Sequence, residues 1–456
     1  MTPFWSHQRV LSRYCLKTRH PVVFVDPRMG KSKVFIRRAC SYVPMDPAGL
    51  RILIIAPNSA LGSWIEELNA EGETDIHVLE GTRAERLEQL TEPYRWTLAH
   101  PDIHLHIPEI ADTEISNWDC VCLDESTSIK NYKSRRSRFW VNHFRDCPHR
   151  WVMTGTPNPE HLLEFWPQLA FCDGHAFGFR NFYSARQTLF RLWGSDWVPA
   201  EGTQSLITDS IAKRACIMRR SDYALEPRKD YLKRVFTLPS KIRKVYDTAE
   251  KDFEIHLEGH ADQTTMWTGA RYAWLRQLAG GFMPGSGKLI WDEKIQDLIE
   301  LLRSQYHEDH VVVWSAFLAE IGLLTGALIA SGRRAASLTG SIPASTRRKI
   351  LKDWNDRKLN TLVIQHQIGE TGMRLSASDV SIYYSSPTGS LARKQTEDRI
   401  VHLEKLKRPL TIIDMVTQGT VDEDVLSALK EKSLGSGITM EAALRKQFQM
   451  RRRYAR

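Results

Sequence analysis

Short apolar runs alternate with longer amphipathic segments in both halves of the chain. The first half carries PVVFVD (21–26), RILIIAP (51–57), DCVCLD (119–124) and RWVMTG (150–155); the second carries HVVVW (310–314), NTLVIQ (360–365), DVSIYYS (379–385) and LTIIDMV (410–416). Runs this short and apolar, separated by stretches long enough for crossover helices, are how parallel strands covered on both faces read in sequence. The pattern predicts an α/β chain with two doubly wound parallel sheets. Between about 160 and 290 the texture changes. Aromatics gather in FCDGHAFGFRNFYSARQTLFRLWGSDWVP, and charge then rises through IMRRSDYALEPRKDYLKRVFTLPSK. This stretch is expected to be a mostly helical insertion and the crossing between lobes. The expected organisation is a first lobe over 1–220, with the insertion from about 160, and a second lobe over 221–443 that is helical to about 290. A basic tail follows over 444–456, where no periodic apolar face continues past Phe448.

Composition adds bounds rather than chemistry. The 456 residues are 42% hydrophobic and 26% charged, which is ordinary globular material with length for two cores. Lys and Arg outnumber Asp and Glu by 63 to 54, a balance that suits a partner rich in phosphates. The seven cysteines are scattered, and Cys120 and Cys122 sit inside an apolar run as strand positions rather than as a metal knuckle. Free thiols in a reducing cytoplasm are expected. The first residues carry Pro, His and Arg, without the charged-then-apolar order of a secretory signal. No apolar stretch approaches the roughly 20 residues that cross a bilayer, so no membrane partner is expected.

The candidate chemistry lies at two strand ends. The first run ends in VDPRMGKSKVF, which places Gly30, Lys31 and Ser32 where a strand hands over to a helix. Backbone N–H groups at a helix start, a Lys ammonium and a Ser hydroxyl on a magnesium ion together bind a β,γ-phosphate unit. The loop departs from the full phosphate-loop spacing, because Val25 and Arg28 occupy the places of the earlier glycine. The run CVCL leads into Asp124 and Glu125, two carboxylates at a strand's C-terminal edge, the side where such sheets bind ligands. Asp124 can hold magnesium, and Glu125 can orient and deprotonate the attacking water.

The order of these segments resembles superfamily 2 helicases, and within them the Swi2/Snf2-type DNA translocases, over nearly the whole chain. The resemblance rests on His7 and Gln8 ahead of the phosphate loop, IIAPNSALGSWIEEL (54–68) with Trp64 and Glu67, Asp124 and Glu125, and Lys130 and Asn131. It continues in MTGTPNPEHLLEFWPQL (153–169), the Arg219–Arg220 pair, LPSK (238–241), VVVWSAF, VIQHQIGETGMRLSASDV and RKQTEDRIVHLEK. It implies two RecA-like lobes, ATP with magnesium, and duplex DNA as partner. Carried over position by position, it makes Gln8 the adenine reader, places Gly30, Lys31 and Ser32 on the phosphates, and gives the metal to Ser32 and Asp124. Thr154 and Thr156 would couple hydrolysis to lobe motion. Gly369 and Gly372 would shape a second-lobe loop at the nucleotide, and Gln395 and Arg399 would complete the site, Arg399 as an arginine finger on the γ-phosphate. The chain resembles the compact phage and bacterial versions, which implies the cytoplasm of a bacterium or infected host. Departures from the pattern stand at Arg28, Thr127, Glu370 and His402.

The remaining features have ordinary readings beside sharper ones. Arg135, Arg136 and Arg138, with Lys130, form a solvated basic loop or a DNA-backbone contact. The aromatics at 165–197 are expected in the core, not as a base-stacking platform. His104 and His106, two apart, are expected on one face of a strand as structural residues. Two other functions stay open: a strand-separating helicase on single-stranded or branched DNA or on RNA, and a nucleotide-binding scaffold with little turnover.

Overall fold

The computed structural model describes residues 2–45, 49–155, 161–193, 196–259, 265–369, 373, 375–401, 406 and 408–433. Thr156, Glu370, Gly372, His402 and the 444–456 tail lie outside the described residues. The chain divides into two compact units, Met1–Glu226 and Pro227–Arg456.

The strands of the first unit are β1 (Val22–Val25), β2 (Ile52–Ile55), β3 (Ile76–Val78), β4 (Trp96–Ala99), β5 (Cys120–Asp124), β6 (His149–Thr154), β7 (Phe190–Trp193), β8 (Asp196–Pro199) and β9 (Ala215–Met218). Seven of them form a sheet in the order β3-β4-β2-β5-β6-β1-β9, every pairing parallel. β7 and β8 form a separate antiparallel hairpin. Alternate residues feed two cores. Val22, Phe24, Leu53, Val121 and Leu123 face one side, and Val23, Val25, Ile54, Cys120, Cys122 and Trp151 face the other. Full burial on both faces explains why these strands carry unbroken apolar runs.

The second unit holds β10 (Lys229–Phe236), β11 (Val311–Ser315), β12 (Ala335–Leu338), β13 (Thr361–Gln365), β14 (Val380–Tyr383) and β15 (Leu410–Thr417). They form a parallel sheet ordered β10-β15-β14-β11-β13-β12, again with one core on each face. The two doubly wound sheets and all eight anticipated strands are present. Seven strands were not anticipated: β3, β9, β10 and β12 end their sheets, with β10 (KDYLKRVF) keeping a charged solvated side, β7 and β8 form the hairpin, and β4, interior and fully buried, escapes because its four-residue run WTLA is broken by Thr97.

Three helices position the site. α1 (Ser6–Lys17) precedes β1, α2 (Lys31–Ala39) follows it, and α3 (Asn58–Ala70) follows β2. α2 docks through Phe35, whose ring meets Trp64 of α3 edge-on at 5.8 Å and Trp151 of β6 at 5.0 Å. Trp151 is fully buried, and its indole N–H donates to Tyr42 Oη at 2.8 Å. Trp151→Ala opens a cavity between α2 and the sheet, and the expected cost is about 3–5 kcal/mol, read as an earlier unfolding midpoint in denaturant titration.

Candidate functional site

β6 lies between β1 and β5, with Val23 opposite Met153 and Met153 opposite Asp124. This adjacency sets the phosphate-loop candidate, Thr154 and the Asp124–Glu125 pair side by side at the carboxyl edge of three neighbouring strands.

The loop from Asp26 to Gly30 turns through two left-handed residues, Arg28 at φ 68° and Gly30 at φ 74°, before α2 begins at Lys31. Arg28 therefore occupies a conformation that favours glycine, at a cost of about 1 kcal/mol. The loop is held from outside. His7 Nε2 donates to the Met29 carbonyl at 3.0 Å, and burial lowers the pKa of His7, which keeps it neutral. Gln8 Oε1 accepts from Trp5 N–H at 3.0 Å, and Gln8 Nε2 lies where a side chain on Gly30 would begin, 2.1 Å from an added Cβ. Gly30 is thus favoured by its φ, and a side chain there would also displace the Gln8 amide. Gly155 has a similar constraint, since a Cβ there would meet Pro27 Cγ at 2.6 Å. Lys31 Nζ donates to the carbonyls of Val25 at 2.8 Å and Asp26 at 3.3 Å, and Ser32 follows it in the first turn of α2.

At the end of β5, Asp124 Oδ2 accepts the indole N–H of Trp64 at 2.8 Å, and Oδ1 accepts Glu125 N–H at 3.0 Å. Desolvation raises the Asp124 pKa to about 6, reinforced by Glu125 and opposed by Lys31. Glu125 adopts φ 49°, which turns the chain into the short helix Ser126–Ile129. Its Oε2 accepts the Thr154 hydroxyl at 3.2 Å, and the buried Ser126 hydroxyl donates to Gln168 at 2.7 Å. Such an arrangement can bind phosphates, hold a cation at Asp124 and orient a water at Glu125.

Gln8, Gly30, Lys31, Ser32, Asp124, Glu125 and Thr154 are thus gathered in the first unit. Gln395 and Arg399 belong to the second and are described within it. Gln395 lies in the helix Ser390–Asp398, and Arg399, buried, follows that helix directly, its carbonyl accepting Leu375 N–H at 3.2 Å. The same helix carries a buried ion network. Arg393 reaches Asp414 at 2.6 Å and Glu397 at 2.8 Å, and its guanidinium lies over the Tyr383 ring at 3.5 Å. Lys229 of β10 meets Glu397 at 2.9 Å. His366, the first residue of the short helix His366–Gly369 after β13, packs nearly parallel beside Trp314 and Tyr383, and burial lowers its pKa to about 3.

The family model of the SNF2-related domain matches residues 13–268, more than half of the chain. The chain belongs to the SNF2-related family. The family model of the helicase conserved C-terminal domain matches residues 293–404. Relatives include a putative ATP-dependent helicase/translocase of Bacillus subtilis, 24% identical over 83% of this chain and 42% of its own length. The ISWI chromatin-remodeling complex ATPase of Saccharomyces cerevisiae is 23% identical over 83% of this chain and 35% of its own. The chain therefore spans less than half the length of these curated relatives. In fold it is similar to the Pyrococcus furiosus Hef helicase domain, with TM-score 0.51, 13% identity, and coverage of 93% of this chain and 97% of that one.

The residues weighed as DNA contacts separate. Arg135 and Arg138 are exposed, whereas Arg136 forks onto Asp102 at 2.7 and 2.6 Å and Lys130 pairs with Glu164 at 3.4 Å. Two expectations are corrected. His104 lies in the 3-10 turn Ile103–Leu105 with His106 directly after it, not on a strand, because a turn begins where the His100 carbonyl accepts Ile103 N–H, and the Pro101 carbonyl accepts from both His104 Nδ1 and Trp140 Nε1. The aromatic run is core at Phe165, Trp166, Phe171, Phe182 and Phe190, but Trp193, at the far end of β7 from the buried Phe190, is 80% exposed. Sequence reading missed the Trp64–Asp124 bond; its signal, a lone Trp in a helix, is indistinguishable from ordinary core. Among the described residues no helix is long and apolar enough to cross a membrane.

A raised acid pKa favours the neutral form in the folded state, so the stability this group contributes is present at about pH 4 and lost as pH rises through about 6. Asp124→Asn removes that loss. In metal-free protein, the stability difference between variant and wild type should shift toward the variant by about 1–2 kcal/mol from pH 4 to pH 7, measured by denaturant titration at both pH values.

Proposed function

We propose that the chain is a magnesium-ATP-dependent DNA translocase of the SNF2-related type, acting on duplex DNA. The observation that carries this is the side-by-side placement of the Lys31 loop, Thr154 and the Asp124–Glu125 pair on neighbouring strand ends. The names of the relatives, an ATP-dependent helicase/translocase and a chromatin-remodeling ATPase, support it.

The residues fit a magnesium nucleotide. Asp124 is a desolvated carboxylate whose oxygens are oriented by two N–H donors, which gains from a cation beside it. Among the described residues no cluster of three or more His, Cys, Asp or Glu could hold a metal alone, so the ion would be shared by Asp124, Ser32 and the nucleotide's own phosphates. When bound, magnesium would neutralise the phosphate oxygens. Lys31 exchanges its two backbone carbonyls for phosphate, and the α2 N-terminus adds N–H groups with the positive end of its dipole. Gln8, already beside Gly30, is set to read the adenine. Glu125 orients and accepts a proton from the attacking water, and the Thr154 hydroxyl ties Glu125 to β6, so that strand can respond to turnover. Arg399 supplies a positive charge to the γ-phosphate from the second unit, with Gln395 beside it. Exposed Arg135 and Arg138 supply phosphate-backbone contacts that carry no sequence information.

The test compares steady-state ATPase rates on duplex, single-stranded and forked DNA. Duplex should stimulate most, and Lys31→Ala, Glu125→Gln and Arg399→Ala should each lower the stimulated rate by about 100-fold or more. Greatest stimulation by single strands would favour the strand-separating helicase, and ATP binding without hydrolysis on any DNA would leave the scaffold.

A further inference from the structure

The segment that closes the first unit is built into the phosphate loop. β9 runs parallel to β1 with Met218 opposite Val25, and Asp26 N–H donates to the Met218 carbonyl at 3.0 Å. The Asp26 carboxylate, 5% exposed, accepts Arg220 N–H at 3.0 Å and lies 3.7 Å from the Arg219 guanidinium. The side chain of Arg220 is almost wholly buried. It donates from Nη1 to the Pro27 carbonyl at 3.5 Å, and from Nε and Nη2 to the two oxygens of Glu226 at 3.1 and 3.3 Å. Tyr223 packs its ring 5.6 Å from His7, the residue that holds the Met29 carbonyl. Asp26, Pro27 and Met29 are therefore all braced, directly or through one ring, by residues 218–226. Glu226 is the last residue of the first unit, and the chain passes from it into the second.

A buried guanidinium is costly unless its donors stay paired, so the acceptors of Arg220 on the loop and at the exit are not independent. The loop cannot keep its present bonds when phosphates arrive. The Lys31 ammonium that now satisfies the carbonyls of Val25 and Asp26 is the group that would leave them for phosphate. Those carbonyls immediately precede the one that Arg220 holds. We propose that Arg220 is a positioning residue that sets the phosphate loop and relays its nucleotide-bound state to Glu226, where the chain leaves the first unit. This rests on the ATP-motor reading. The relay gives the loop a covalent route to the second unit, separate from any charge that unit supplies to the nucleotide.

The experiment is amide hydrogen exchange on the full chain with and without magnesium and a non-hydrolysable ATP analogue at saturation. In wild type, the analogue should slow exchange at 26–32 and change it at 222–230. In Arg220→Gln the exit response should fall at least about threefold while the loop still responds, and ATP KM should rise severalfold. Glu226→Gln, at a half-exposed position that leaves the loop's own contacts intact, carries the same test where Arg220→Gln unfolds the unit. It should lose the exit response with KM within about twofold of wild type. Loop protection together with an unchanged exit response in both variants, or no exit response in wild type, overturns the relay alone. Absence of loop protection in wild type overturns the ATP reading and the relay with it.

Discussion

Parallel pairing of β1 with β6, and of β6 with β5, is the constraint from which the candidate site follows. Each ladder fixes its neighbour's register, and the registers Val23 to Met153 and Met153 to Asp124 bring three strand ends level. A slip of one residue would turn every side chain of a strand to the opposite core, so the two apolar layers enforce the alignment as firmly as the hydrogen bonds do. The consequence is electrostatic. Asp124, next to Glu125 in the chain, is held in a poorly solvated place, which penalises its charge, and the Lys31 ammonium opposes that penalty.

The loop from Asp26 to Gly30 shows how an unfavourable backbone is kept. Arg28 stands where a glycine would relieve the strain, yet the turn persists because its neighbours over-determine it. α1 supplies His7 and Gln8 from one side, Gly155 lets β6 approach Pro27 from another, and the segment after β9 grips Asp26 and Pro27 from a third. With these supports, the departure at position 28 alters the cost of the loop rather than its course.

The second unit invests its buried polar groups differently. Arg393, Glu397, Asp414 and Lys229 form a network in which each ion has a partner of opposite sign, so the helix ahead of Arg399 is seated by charge as well as by apolar packing. His366 is enclosed so fully that it stays neutral throughout the physiological range and acts as a flat aromatic beside Trp314 and Tyr383. Removing a single member of such a network leaves an unpaired buried charge, which makes this helix intolerant of isolated changes.

Much of this was legible in the residues alone. Strands buried on both faces are mostly apolar, so eight of them and their α/β alternation are written locally, while the buried β4 is not because Thr97 interrupts its short run, and the Gly-Lys-Ser and Asp-Glu segments stand out because phosphate and metal chemistry needs those side chains. What is local stops there. β9 and β10 escape the pattern because edge strands keep a solvated side, Trp193 escapes it because only the Phe190 end of its strand reaches the core, and Arg136 is claimed by Asp102, 34 residues earlier. The bond from Trp64 to Asp124, the fit of Gln8 against Gly30 and the grip of Arg220 on the loop join residues 60, 22 and 193 or more positions apart. Hydrophobic periodicity and residue chemistry act over a few neighbours and so are set by sequence order. Which donor reaches which buried carboxylate is set by strand order in the sheet, and only the folded chain decides that.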